Sequence, residues 1–295
     1  MIPQDERAEP SHLPSGVSKR IELLYADALQ EFSERIVRHS AMKPHSDKEI
    51  ENVVRLSVAL LASGVYSGGV ATLNLYQANL HKQLPGLVRS QFEASIRIAY
   101  IEKHNIMARN FLDSEPFERW FLASEYSKKL PLLKTIEAEC FKIIKERPDL
   151  VGDQKDSQSI LAGKIPPNYS AVRKKLQFKA TEQLMNDLRK TDSKWKADLY
   201  VTLFRMGSQS IHNEIGFLRN ALADLNNDGS VHFSIDQRED GAPDYLFQSS
   251  NYIIGCSGKF GFHFGDDVTK DANLNDLVKR HSEIVAEVFP ESTNS

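Results

Sequence analysis

The chain has 295 residues, 41% of them hydrophobic and 26% charged, and a formal net charge of −3. This is enough length for one large domain or two, with the composition of an ordinary globular protein. The charge excludes a globally basic nucleic-acid binder, and two distant cysteines, Cys140 and Cys256, exclude a disulfide framework. The start, Met1 to Gly16, is polar and proline-containing without a signal-like apolar core, so a reducing cytoplasm is the expected compartment.

Residues 1–16 read as a flexible tail. From Val17 to about Lys43, Ile21, Leu24, Ala28, Phe32 and Ile36 recur at helical spacing and predict an amphipathic helix. Ser46-Asp47-Lys48-Glu49 starts a second helix, with Ser46 as N-cap and Glu49 in the capping-box position. Its charge-free run from Leu56 to Leu80 is long enough to span a bilayer. Ser57, Ser63, Ser67, Thr72, Asn74 and Gln77 would be costly against lipid, so a buried bundle helix, and no membrane partner, is expected. Pro85 opens a third helix to about Lys103, and a fourth runs from about Pro116 to Arg147, bent at Pro131.

Residues 17–151 thus form an N-terminal bundle of long helices. Gly152 to Tyr169 lacks an apolar period and reads as a loop or linker. Residues 170–295 make the second half, which could also be continuous with the first. There, Ser170 to Lys190 reads as a basic helix, and Lys194 to His212 as another that can extend to Leu225. Asn226-Asn227-Asp228-Gly229 marks a turn; Val231 to Ile235 alternates as a strand, with Tyr245-Leu246-Phe247 as its pairing arm. Helices near Tyr252 to Phe264 and Leu274 to Phe289 close the chain. The fold class expected is mainly α, a helical bundle with a small β-hairpin near 231–248 appended in the C-terminal half.

Charge is unevenly spread. Between Lys164 and Lys196 nine Lys/Arg, including Arg173, Lys174, Lys175 and Lys179, stand against three acids, whereas from Asn220 onward thirteen acids face five bases. The basic block directly precedes Arg205 and His212, which are seven residues apart. Seven helical steps turn the chain by roughly 700°, so the two share one face about 10 Å apart, with Ser208 and Gln209 between them. A permanent cation, a hydroxyl, an amide and a titratable imidazole make one polar stripe, beside a block suited to an anionic partner such as RNA.

This Arg205-x6-His212 pattern resembles the R-x(4–6)-H motif of HEPN-type domains, all-α bundles of which many are metal-independent ribonucleases. The resemblance implies His212 as general base or acid at the ribose 2′-hydroxyl or the leaving 5′-oxygen. Arg205 would then stabilise the phosphorane-like transition state, and Ser208 and Gln209 would orient the phosphate. It further implies a homodimer lining one cleft, 2′,3′-cyclic phosphate products, no cofactor, and a toxin or defence setting with a protein partner or antitoxin. HEPN nucleases commonly carry a polar residue directly after the arginine; here it is Met206.

Arg89, Glu93 and Arg97, at i, i+4 and i+8 on the third helix, form a second constellation. The string Leu87 to Glu93 is similar to an R-x3-E helix of bacterial helical proteins that carry a later Ser-x-x-x-His segment, here Ser208 to His212. Functionally, Glu93 would orient His212 with Arg89 in support; structurally, the three are an ion-pair ladder. No HxxxH, HExxH or Cys/His spacing predicts a metal site, and Gly255 to Phe260 lacks the phosphate-loop spacing. Against the ribonuclease reading stands a non-catalytic helical interaction module.

Overall fold

The computed structural model describes residues 16–40, 48–126, 129–145, 181–190, 223–225, 231–233 and 242–288, together with Gln158 and Ala162. The chain is mainly helical. Among the described residues the α-helices are α1 (Val17–His39), α2 (Glu49–Gln77), α3 (Leu84–Lys103), α4 (Ile106–Tyr126), α5 (Leu133–Lys145), α6 (Thr181–Arg189), α7 (Ala242–His263) and α8 (Ala272–Val288). Their residues fall into two compact units that interleave along the sequence. The first takes residues 1–45, 58–99 and 181–295; the second takes 46–57 and 100–180.

In the first unit, α1 packs on α7 and α8. Its Ile21, Leu24, Tyr25, Ala28 and Phe32 repeat every three or four residues and are each 0–1% exposed, as an amphipathic helix requires. The α2 residues Val58, Ala62 and Val65 and the α3 residues Val88, Phe92 and Ile96 add to this core. Phe32 meets Tyr66 and Phe260 edge-on at 5.7 and 6.1 Å, and Phe92 lies 5.8 Å from Tyr252. Gly69 permits this approach: a Cβ there would sit 2.9 Å from both Leu29 and Ile253.

In the second unit, α4 and α5 pack together. Trp120, 1% exposed, contacts Phe117 at 5.9 Å and stacks on Phe141 at 6.0 Å. Ser124 donates to Glu137 at 3.0 Å, and Ser57 donates to the Ala108 carbonyl at 3.2 Å.

Several sequence expectations are corrected. The fourth helix is two helices: α4 already begins at Ile106, Pro116 lies inside it, and α5 starts after Pro131. The hairpin expected at 231–248 does not form, because its second arm is helical. Pro243 and Asp244 in the first turn of α7 suit a helix start, and Leu246, Ser249, Ser250, Ile253, Ile254, Ser257 and Phe260 then bury at helical spacing. A helix does not reach Leu225 either: Ala223–Leu225 pairs antiparallel with Val231–Phe233, on either side of the expected turn. The tail, Ser46 and nearly all of the 152–169 linker lie outside the described residues. By length and composition α2 could cross a membrane, and 39% of its most apolar stretch is buried in the protein.

Candidate functional site

The third helix carries the two predicted site residues that fall among the described ones. Four residues apart, Arg89 and Glu93 lie one turn from each other, and Arg89 Nε donates to Glu93 Oε1 at 2.9 Å. Their side chains are 11% and 21% exposed, so the pair is largely withdrawn from solvent and weakly screened. One turn further, Arg97 approaches Glu93 Oε2 at 3.7 Å, an ion-pair distance but too long for a hydrogen bond. Arg205, His212, Ser208, Gln209, Arg173, Lys174, Lys175 and Lys179 lie outside the described residues.

Two polar clusters of the first unit were not singled out from sequence. In one, Arg35 is fully buried and held by three carboxylates: Glu31 at 2.6 Å, Asp266 at 2.7 Å and Asp271 at 2.6 Å. His39 Nε2 lies 2.9 Å from the other oxygen of Asp266, and its ring packs near Phe260 and Phe264. Burial works against the Arg35 charge, yet Glu31 and Asp271 hold its pKa above the ordinary arginine value. Burial likewise pushes Asp271 up, but the Leu274 N–H that it caps and the Arg35 guanidinium outweigh this and hold it below the usual carboxylate range. The signal for this cluster was the Glu31-Arg35-His39 spacing at i, i+4, i+8, the same as that of the α3 ladder. Its acidic partners come from the α7–α8 turn, more than two hundred residues away.

The other cluster is a polar string through the core. Tyr25 on α1 lies 2.7 Å from Ser249 on α7 and 3.0 Å from the Gly69 carbonyl on α2. Ser249 donates to Gln91 Oε1 at 2.5 Å; Gln91 Nε2 donates to Thr72 at 3.1 Å, and Thr72 to the Gly68 carbonyl at 2.8 Å. Desolvation drives the Tyr25 pKa up to about 12, so the phenol stays neutral and keeps its proton for this string.

A groove between α1 and α8 is lined by Asp27, Glu31, Glu34, Asp276 and Arg280, the arginine lying 2.7 Å from Asp27 and 3.5 Å from Asp276. Its net negative charge makes it a poor surface for a polyanion. Among the described residues no group of three or more His, Cys, Asp or Glu is placed to hold a metal ion.

Residues 58–230 match DUF5677, a family of unknown function. The chain belongs to the DUF5677 family. No curated protein and no solved structure matches it. The DUF5677 stretch contains the α3 ladder and also Arg205 and His212. It leaves out α1, α7 and α8, and therefore Tyr25 and Ser249 of the core string and the whole Arg35 cluster.

Proposed function

We propose that this DUF5677 chain is a HEPN-like, metal-independent RNA endonuclease or RNA-binding protein, acting as a cytoplasmic homodimer in a toxin or defence system with a cognate protein partner. The observation that carries the reading is the seven-residue spacing of Arg205 and His212, behind a block with six excess positive charges and inside the family's matched stretch. In this reading His212 moves the proton at the 2′-hydroxyl or the leaving 5′-oxygen, because imidazole changes charge near neutral pH. Arg205 offers its planar fork to the charge developing on the phosphoryl oxygens. Ser208 and Gln209 orient the phosphate, and Arg173, Lys174, Lys175 and Lys179 bind the RNA backbone.

A second reading, a non-catalytic interaction module, draws support from the core string and the Arg35 cluster, where polar and charged groups tie helices together with no exposed chemistry. His212→Ala separates the two. The nuclease reading expects RNA cleavage that survives chelation of metal ions, leaves 2′,3′-cyclic phosphate ends and disappears in the variant while its melting temperature holds. Absence of cleavage and RNA binding by the wild-type protein, with a large loss of stability in the variant, would leave the module reading in its place.

A further inference from the structure

The packing of α4 on α5 leaves the tip of their hairpin uncovered. Along α4, Phe117, Trp120 and Ala123 turn inward and are buried. Past Ala123 the pattern reverses: Tyr126 is 43% exposed, Leu130 55% and Leu132 82%. From Tyr126 to Ile136 the sequence holds Lys128, Lys129 and Lys134 and no acid, and Lys129 and Lys134 are exposed. The stretch stays net positive with the flanking Glu125 and Glu137 included, and Glu137 is engaged by Ser124 across the hairpin at 3.0 Å. The tip also satisfies its own backbone. The Lys129 and Leu130 N–H groups donate to the Tyr126 carbonyl, both at 2.9 Å. Leu133 N–H donates to the Leu130 carbonyl at 2.9 Å, and Lys134 N–H to the Pro131 carbonyl at 3.1 Å. Pro131 has no N–H to satisfy. A turn closed in this way enters an apolar medium without the cost that bare amides incur.

We propose that the α4–α5 tip docks the protein on an anionic lipid surface, with Leu130 and Leu132 entering the bilayer interface and Lys129 and Lys134 on its headgroups. The two leucines stand in the turn between the helices, where they form a wedge; a helix-binding partner would instead grip a lateral face with anchors at i, i+3 and i+4. Apolar side chains flanked by lysines complement a surface that is negatively charged outside and apolar within. Two leucines and a few lysines make such attachment weak and reversible. It engages one leaflet and spans nothing, and it revises the expectation of no membrane partner, which came from α2 alone. The inference is independent of the RNA chemistry proposed above.

The test is co-sedimentation of the full chain with vesicles of equal parts phosphatidylcholine and phosphatidylglycerol, against vesicles of phosphatidylcholine alone. Wild type should bind the first, come off as salt rises, and leave the second largely unbound. Lys129→Gln with Lys134→Gln should weaken binding about 25-fold, at roughly fivefold per lysine. Leu130→Ser with Leu132→Ser should weaken it about tenfold or more. Both double variants change exposed side chains, so their melting temperatures should match that of wild type. Ile106→Ser, 75% exposed at the other end of α4, should bind as wild type does; twenty helical residues put it about 30 Å from the tip. Leu132→Trp should shift its emission to the blue on the anionic vesicles only. No binding by wild type, binding that the leucine double retains, or a loss that Ile106→Ser shares overturns the inference. So does wild-type self-association that the leucine double abolishes without vesicles, which would make the tip a contact between copies of this chain.

Discussion

The Arg35 cluster and the α3 ladder begin from the same local pattern, charged residues one turn apart on a helix, and end in different roles. On α1, the pattern Glu31-Arg35-His39 is completed by Asp266 and Asp271 from the α7–α8 turn, and every exposed edge of the guanidinium disappears. On α3, Arg89-Glu93-Arg97 has a single carboxylate between two arginines, and its last member stays partly in solvent. The difference lies in what distant sequence brings to each helix. A closed network is a fastening, whose removal is felt in stability. An open one, partly screened by solvent, contributes little to stability.

The sharpest way to break this contrast is Arg35→Ala, which would strand three carboxylates around an empty site. A loss of about 3–5 kcal/mol in denaturant unfolding is expected; a near-neutral result would show that the cluster is not a fastening. Gln91→Ala comes next, since it removes the acceptor of Ser249 and the donor to Thr72 inside the buried core, at about 1–3 kcal/mol. Gly261→Ala tests the fastening from its other side, because an added methyl would overlap the Arg35 guanidinium. It should destabilise by about 1–3 kcal/mol as an overpacking change, and combining it with Arg35→Ala should give less than the sum of the two.

A smaller effect follows pH. His281 on α8 stacks on Phe247 at 4.4 Å, and burial lowers its pKa below the ordinary 6.5 despite the hydrogen bond with the Phe247 backbone. The unfolded chain therefore takes up this proton first as the medium acidifies. Stability present above pH 6.5 should fall as pH drops towards the folded-state value, and His281→Gln should flatten that limb. Asp271 is depressed as well, so a separate loss should appear at lower pH, through the carboxylate range, and persist in the His281 variant. The smallest stability effect belongs to Arg97→Gln, within about 0.5 kcal/mol of wild type. A loss as large as that of Arg35→Ala would make the ladder a second fastening and erase the contrast.

Much of the fold was legible because single helices announce themselves locally. The α1 period, the long apolar run of α2 and Pro85 at the start of α3 all lie where the helices do. Pro116 misled because a proline that suits a first turn can also sit within a helix, and α4 has ten residues before it. Tyr245 to Phe247 is too short an apolar run to separate strand from helix; the deciding residues were Pro243 and Asp244 upstream and the long period downstream. For the candidate site, the Arg89–Glu93 pair was readable from its spacing. That Arg97 would be left at 3.7 Å, or Arg35 enclosed by Asp266 and Asp271, depends on side-chain reach and on tertiary partners, which spacing along one helix does not encode.

The core string also bears on how the family's boundaries should be used at the bench. Gln91, Thr72 and Gly69 lie within the matched residues 58–230, while Ser249 and Tyr25, which complete their hydrogen bonding, lie beyond both ends. A polypeptide cut to the matched stretch would retain Gln91 and lose the hydroxyl that reaches it, and the flanks of Gly69 against Leu29 and Ile253 would be bare. Such a fragment should expose a sticky apolar surface and precipitate or recruit chaperones, so recombinant work on this chain needs α1, α7 and α8 included from the start.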